Sequence, residues 1–180
     1  MTSHHADHMA TGSCLRLTPG IVVGLDGSAS SKAALRWAAT QSRMTGLPLR
    51  VVHAWQVTPL AAAVAHLNAG EYFEAEAADA RARATHWVLE TLGDAAKELH
   101  WTLDIAEGSA GPVLVALSQD APLLVLGSKV HTGIRRAVQG SVSHYCLSHA
   151  AGPVVAVPGP PAEPVHTPGA GELTTVGPLF

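Results

Sequence analysis

The chain has 180 residues and 18.6 kDa, with 47% apolar residues, 14% charged residues and a formal net charge of -3. That size suits one domain with or without tails. The apolar content excludes a wholly disordered chain, and the negative charge excludes a strongly basic chain driven onto nucleic acid by its overall charge, though not a local basic patch.

The first residues carry His4, His5 and His8 and lack the basic start and apolar stretch of a secretory signal. The longest apolar runs, Leu60 to Ala65 and Pro122 to Leu126, fall well short of the ~20 residues that cross a bilayer. Cys14 and Cys146 have no zinc-site or Cys-x-x-Cys spacing and read as free thiols of a reducing compartment. A soluble cytoplasmic protein with no membrane association is expected. Gly20 to Leu25 reads as a buried strand, followed by a helix from Ser30 to Thr45 that Ser28 or Ser30 caps and Gly46 ends. Leu49 to Trp55 is a second strand, rich in β-branched residues. A long Ala/Glu/Arg helix is expected from about Asn68 to Leu99, with Ala82, Thr85, His86, Leu89 and Leu92 on one stripe and Gly93 as a soft spot within it. Trp101 to Glu107 alternates as a third strand. Gly111 to Ser118 is a short helix with Pro112 in its first turn. Pro122 to Leu126 is a fourth strand, 127–139 a glycine-containing loop, Gly140 to His149 a helix and Pro153 to Val157 the last strand.

This order predicts an α/β domain over residues 19–158: a single open five-stranded parallel sheet with helices on both faces, Rossmann-like. Residues 1–18 and the Pro/Gly-rich 159–180 read as flexible tails. In such sheets a ligand sits beyond the carboxyl ends of the strands, where the strand order reverses. Several features converge on that edge. Asp26 follows the first strand, where a carboxylate accepts hydrogen bonds from a ribose hydroxyl pair; capping of the next helix is the alternative role. Gly24 and Gly27 let a ligand approach the backbone. Gly127, Ser128 and Lys129 follow the fourth strand, with Gly133 further along. Gly140, Ser141, Val142 and Ser143 open a helix whose N–H groups suit a phosphate. A glycine-rich turn before a serine-capped helix is the alternative there. The segment matches neither G-x-x-x-x-G-K-[ST] nor G-x-G-x-x-G, so neither a P-loop NTPase nor an ordinary dinucleotide fold is indicated.

Three segments, Ile21-Val-Val-Gly-Leu-Asp-Gly-Ser28, Val51-Val-His-Ala-Trp55, and Leu126 through Ser143 leading to Gly152-Pro-Val-Val-Ala-Val157, resemble the universal stress protein family over nearly all of residues 19–158. The resemblance implies the family's adenine-nucleotide-binding fold, similar to that of the adenine nucleotide alpha hydrolases, and a homodimer through the last strand. Its ATP-binding branch carries Gly-x-x-Gly, nine residues, then Gly-Ser or Gly-Thr. Gly127, Gly140 and Ser141 match that pattern, and Ser143 matches the following hydroxyl position. Asp26 matches the ribose-binding aspartate and Ala54 the residue beside adenine. The second glycine does not match, because position 130 is Val. A backbone needing positive φ resists a β-branched residue, whereas a negative φ accepts it with some crowding.

The resemblance thus implies a stress-response sensor or regulator that binds ATP, with or without magnesium, through Asp26, Ala54, Gly127, Gly140, Ser141 and Ser143, to which the reading of the carboxyl edge adds Gly24, Ser128, Lys129, Gly133 and Val142. The alternatives are a non-nucleotide dimeric interaction module of the same fold, with Val130 marking loss of the pocket, and a slow ATPase. No catalytic dyad stands out, so no catalytic residue is assigned. His53 reads as a satisfied core or cleft histidine. His131 is either a phosphate contact or a solvated loop residue. His144 and His149 lack a third ligand, so no metal site is assigned. Arg135 and Arg136 read as a solvated pair, with guidance of an anion as the alternative. Trp37, Trp55, Trp87 and Trp101 have no base-stacking spacing and suit packing.

Overall fold

A computed structural model describes residues 19–56, 69–128 and 140–160. The readings of residues 1–18, of the run Leu60 to Ala65, of Lys129, Val130, His131, Gly133, Arg135 and Arg136, and of 161–180 lie outside the described residues.

The elements in chain order are β1 (Ile21–Gly24), α1 (Ala29–Thr45), β2 (Leu49–Trp55), α2 (Ala69–Leu92), α3 (Ala95–Glu98), β3 (Trp101–Glu107), α4 (Ala110–Leu117), β4 (Leu123–Ser128), α5 (Ser141–His149) and β5 (Val154–Pro158). They build one five-stranded sheet of order β3-β2-β1-β4-β5, with every neighbouring pair parallel. Val22 stands level with Arg50 on one side and Leu124 on the other. Because successive strand side chains point to opposite faces, the core divides in two. Ile21, Val23, Leu25, Leu49, Val51 and Val125 pack with α1 and α2. Val22, Val52, Leu124 and Leu126 pack with Leu114 of α4 and Cys146 of α5 on the other face.

Local chemistry sets the element ends. Of the two serines expected to cap α1, Ser28 does so: its extended backbone (φ -67°, ψ 157°) presents Oγ to the Ser31 N–H at 3.2 Å. Ser30 lies buried inside the helix, its hydroxyl 3.1 Å from that of Ser28. Gly46 ends the helix in the left-handed conformation at φ 71°. Arg50 pairs with Asp104 across β2 and β3 and donates to the Leu117 carbonyl at the end of α4, 3.1 Å away.

Three sequence expectations are corrected. The helix expected over Asn68 to Leu99 is two helices, because Gly93 at φ 54° stops the first rather than weakening it from within. The buried stripe of α2 is Ala80, Ala84 and Val88, whereas Ala82, His86 and Leu89 are exposed, Leu89 by 49%. Trp87 and Leu92, both partly buried, pack against the same core, so Leu92 of the expected stripe faces inward while Leu89 does not. Finally, Gly127 and Ser128 are not loop. They extend β4, level with Val157 and Pro158 of β5.

Candidate functional site

The sheet order reverses between β1 and β4, so their carboxyl ends part and leave a crevice. A cleft of about 180 Å³ opens there, on the face covered by α4 and α5. Its floor is apolar: Val52 and Ala54 from β2, Leu114 from α4 and Leu126 from β4. Asp26 and Ser28 stand on one side, and Gly140, Ser141 and Val142 on another. Lys and Arg are absent from the described lining, and Asp26 is its one charged residue.

The Asp26 side is a pinned turn. The Asp26 N–H donates to Ser31 Oγ at 3.3 Å, and Oδ1 of its exposed carboxylate accepts the Ser28 N–H at 3.0 Å. The carboxylate therefore shapes the turn, and the capping role considered for Asp26 falls to Ser28. Gly27 has φ 80°, and a Cβ there would stand 2.5 Å from the Trp87 indole, so both conformation and space require glycine.

The two motif glycines differ in kind. A Cβ on Gly127 would lie 2.5 Å from the Ser30 carbonyl carbon and 2.6 Å from the Ser31 nitrogen. Gly127 is thus required by the backbone of α1, whose first turn lies against the end of β4. Gly140 is the N-cap position of α5, with φ -54°, ψ 153° and no side-chain capping bond. Among the described residues, nothing lies within 4 Å of where its Cβ would stand. The first intrahelical bond runs from the His144 N–H to the Gly140 carbonyl at 3.0 Å, so the N–H groups of Ser141, Val142 and Ser143 precede the helical ladder.

The structure brings Gly24, Asp26, Ala54, Gly127, Gly140, Ser141, Val142 and Ser143 to this one cleft. Ser128 is not in its lining: it is buried in β4, and its carbonyl accepts the Gly159 N–H at 3.2 Å. The Ser143 hydroxyl, expected to face a phosphate, is buried and donates to the Gly127 carbonyl at 2.9 Å. It ties α5 to β4, leaving the Ser143 backbone N–H as the group that a ligand would use. His53 is the satisfied histidine that its strand position suggests, 8% exposed with Nδ1 2.8 Å from the Leu25 carbonyl. His149 likewise has Nδ1 2.8 Å from the Tyr145 carbonyl. The Cys146 thiol lies outside the cleft lining and is pushed up to about 11 by burial. Among the described residues no group of three or more His, Cys, Asp and Glu gathers to hold a metal ion, and no helix is long and apolar enough to cross a membrane.

Residue reading missed the apolar floor. Val52, Leu114 and Leu126 carry no chemical marker and look like any core residue. The period of two could have found Val52, because it shares a strand face with Ala54. Ala110, at the start of α4, also lines the cleft and is equally unmarked.

The universal stress protein family profile matches residues 20–158. Universal stress protein Mb2019 of Mycobacterium bovis is 32% identical over 166 residues, covering 83% of this chain and 51% of its own length. A universal stress protein of Mycolicibacterium smegmatis is 33% identical over 147 residues, 78% of this chain and 48% of its own. The chain thus spans about half the length of these curated relatives. Among solved structures, universal stress protein UspA of Lactobacillus plantarum superposes with a TM-score of 0.58 at 21% identity, covering 78% of this chain and 97% of its own. The universal stress protein of Archaeoglobus fulgidus in complex with dAMP gives a TM-score of 0.55 at 19% identity, over 78% and 98%.

Proposed function

The chain belongs to the universal stress protein family, and we propose that it binds an adenine nucleotide, ATP foremost, in the β1–β4 cleft and acts as a stress-response sensor or regulator. The observation that carries this reading is the pairing of opposite chemistries across one cleft. The exposed Asp26 carboxylate stands on one side. On another stands a helix start whose N-cap glycine has no side-chain cap and open space beside it among the described residues. Neither packing against described residues nor a positive φ asks for glycine at 140; a phosphate approaching the N–H groups behind it does.

In this reading Asp26 accepts hydrogen bonds from the ribose hydroxyls, and its charge keeps the phosphates at the α5 end. The N–H groups of Ser141, Val142 and Ser143 and the Ser141 hydroxyl hold phosphate. Gly127 shapes the end of β4, and Ser143 anchors α5 to it. Adenine rests on Ala54, Val52 and Leu126. Lys129 and Gly133 complete the phosphate side, and magnesium neutralises the triphosphate when it is present. A dAMP complex of the same fold supports trying adenine nucleotides first. We take the domain as residues 19–158, its setting as the cytoplasm and its homodimer contact as β5, an edge strand whose Val154 to Val157 are only half-buried.

Titration of nucleotide-free folded protein with magnesium-ATP tests the reading. Saturable binding is expected, and absence of saturation at millimolar nucleotide refutes it. Val130 is the observation on the other side, because a glycine stands there in the family's ATP-binding pattern. If Val130→Gly raises ATP affinity by orders of magnitude over a non-binding parent, the chain is a non-nucleotide interaction module. A slow hydrolysis that belongs to this cleft falls in Asp26→Ala and Ser141→Ala, whereas one that survives both comes from a contaminant.

A further inference from the structure

We infer that His53, which does not line the cleft, is the positioning residue that fixes the Asp26 loop from the opposite face of the sheet; its consequence for ligand choice rests on the nucleotide reading above.

Val52 and Ala54 of β2 face the cleft. His53 lies between them, so it points to the other face, among the residues packed under α1 and α2. There its Nδ1 is 2.8 Å from the Leu25 carbonyl. A carbonyl only accepts, so Nδ1 carries the proton and donates it. This bond falls where the sheet ladder stops. Gly24 is the last residue of β1 paired with β2, level with Val52, and the Leu25 N–H donates to the Val52 carbonyl at 2.9 Å. The imidazole of His53 supplies the next anchor, a side chain in place of a strand backbone group.

That anchor acts on one peptide plane. The Leu25 carbonyl and the Asp26 N–H belong to the same planar unit. His53 holds its oxygen, and Ser31 Oγ accepts from its N–H at 3.3 Å. With both ends held, the direction in which the Asp26 side chain leaves the backbone is set, and Oδ1 meets the Ser28 N–H at 3.0 Å. The ring is held in turn. Trp87 stands edge-on to it, with centroids 5.4 Å apart at 84°, and the same indole fills the space above Gly27. His53 and Trp87 thus grip the residues on either side of Asp26 without reaching the cleft.

The experiment compares wild type, His53→Leu, His53→Asn and the reference Asp26→Ala in titrations with ATP and with 2′,3′-dideoxy-ATP. The deoxy ligand lacks the hydroxyls assigned to Asp26. His53→Leu is expected to lose about tenfold in ATP affinity while its dideoxy-ATP affinity stays within about twofold, matching Asp26→Ala. His53→Asn, whose amide nitrogen reaches the place of Nδ1, is expected to restore most of the discrimination. If His53→Leu does not fold, His53→Gln replaces it, because its amide nitrogen sits at the place of Nε2 and cannot make the same bond. Equal loss for both nucleotides, or no loss, overturns the inference. If wild type binds neither nucleotide, the nucleotide reading fails, and hydrogen exchange at the Asp26 and Ser28 amides decides the positioning role. Faster exchange there in the His53 variant, with the rest of the sheet unchanged, upholds it; unchanged exchange overturns it.

Discussion

Replacing Gly127 with alanine drives a methyl group into the backbone of α1. The added carbon would stand 2.5 Å from the Ser30 carbonyl carbon, 2.6 Å from the Ser31 nitrogen and 2.7 Å from the Ser30 oxygen. Carbon atoms rest at about 3.5–4.0 Å from one another, so the shortfall is roughly 1 Å. None of these atoms belongs to a side chain that can rotate away. The first turn of α1 must move off β4, or β4 must bend. Overpacking of this kind costs about 1–3 kcal/mol, and a backbone neighbour puts it at the upper end. The shift also loosens the Ser28 cap, worth ~1 kcal/mol. A loss of about 3 kcal/mol is expected, read by urea unfolding as a lower midpoint at unchanged m-value. Gly140→Ala is the control. Its φ of -54° suits any residue, and open space surrounds the site among the described residues. Its stability is expected within about 1 kcal/mol of wild type, the range set by N-cap preference. Its ATP affinity is expected to fall about tenfold, because the methyl group stands at the phosphate approach. A Gly127→Ala protein within 0.5 kcal/mol of wild type, or a Gly140→Ala protein as unstable as Gly127→Ala, would refute this division of labour between the two glycines.

The contact line of α2 predicts a contrast between neighbours: Val88→Ala, at a fully buried position, is expected to cost about 2 kcal/mol, whereas Leu89→Ala, at a half-exposed one, changes unfolding free energy by under ~0.5 kcal/mol. Cys146 predicts an alkaline effect with a definite sign. Burial raises its thiol from 9.0 to about 11, so the folded state keeps the proton longer than the unfolded one. Its contribution to stability is complete below pH 9.0 and is lost as pH rises toward about 11, a slope that urea midpoints across this range should show and that Cys146→Ala should reduce. In a Cys14→Ser background the native thiol is also expected to react with a disulfide reagent far more slowly than the unfolded chain does, because the residue is fully buried and burial keeps the thiol protonated.

Much of the architecture is written locally. Apolar β-branched runs bounded by glycine and proline mark the strands, Ser28 and Gly46 mark the ends of α1, and alternation of strands with helices selects a parallel sheet. The carboxyl edge then follows from topology, and Asp26 and Gly140 are legible because each sits immediately after a strand or before a helix. Other features come from approaches between segments far apart in the chain, which no local pattern encodes. Gly127 is glycine because residues 30 and 31 of α1 press against it. Ser143 spends its hydroxyl on a carbonyl 16 residues earlier. The stripe of α2 is misplaced from sequence because among many alanines hydrophobic contrast is too weak to show which methyl groups touch. His53 has its meaning only when β1 ends one residue short of it. Local sequence marked the strands, most of the helices and the chemistry at their ends, but neither the break at Gly93 nor the last two residues of β4. Tertiary structure decided which of those groups face the cleft and which are consumed in holding it, because hydrogen-bond partners and steric limits are set by distances across the sheet rather than along the chain.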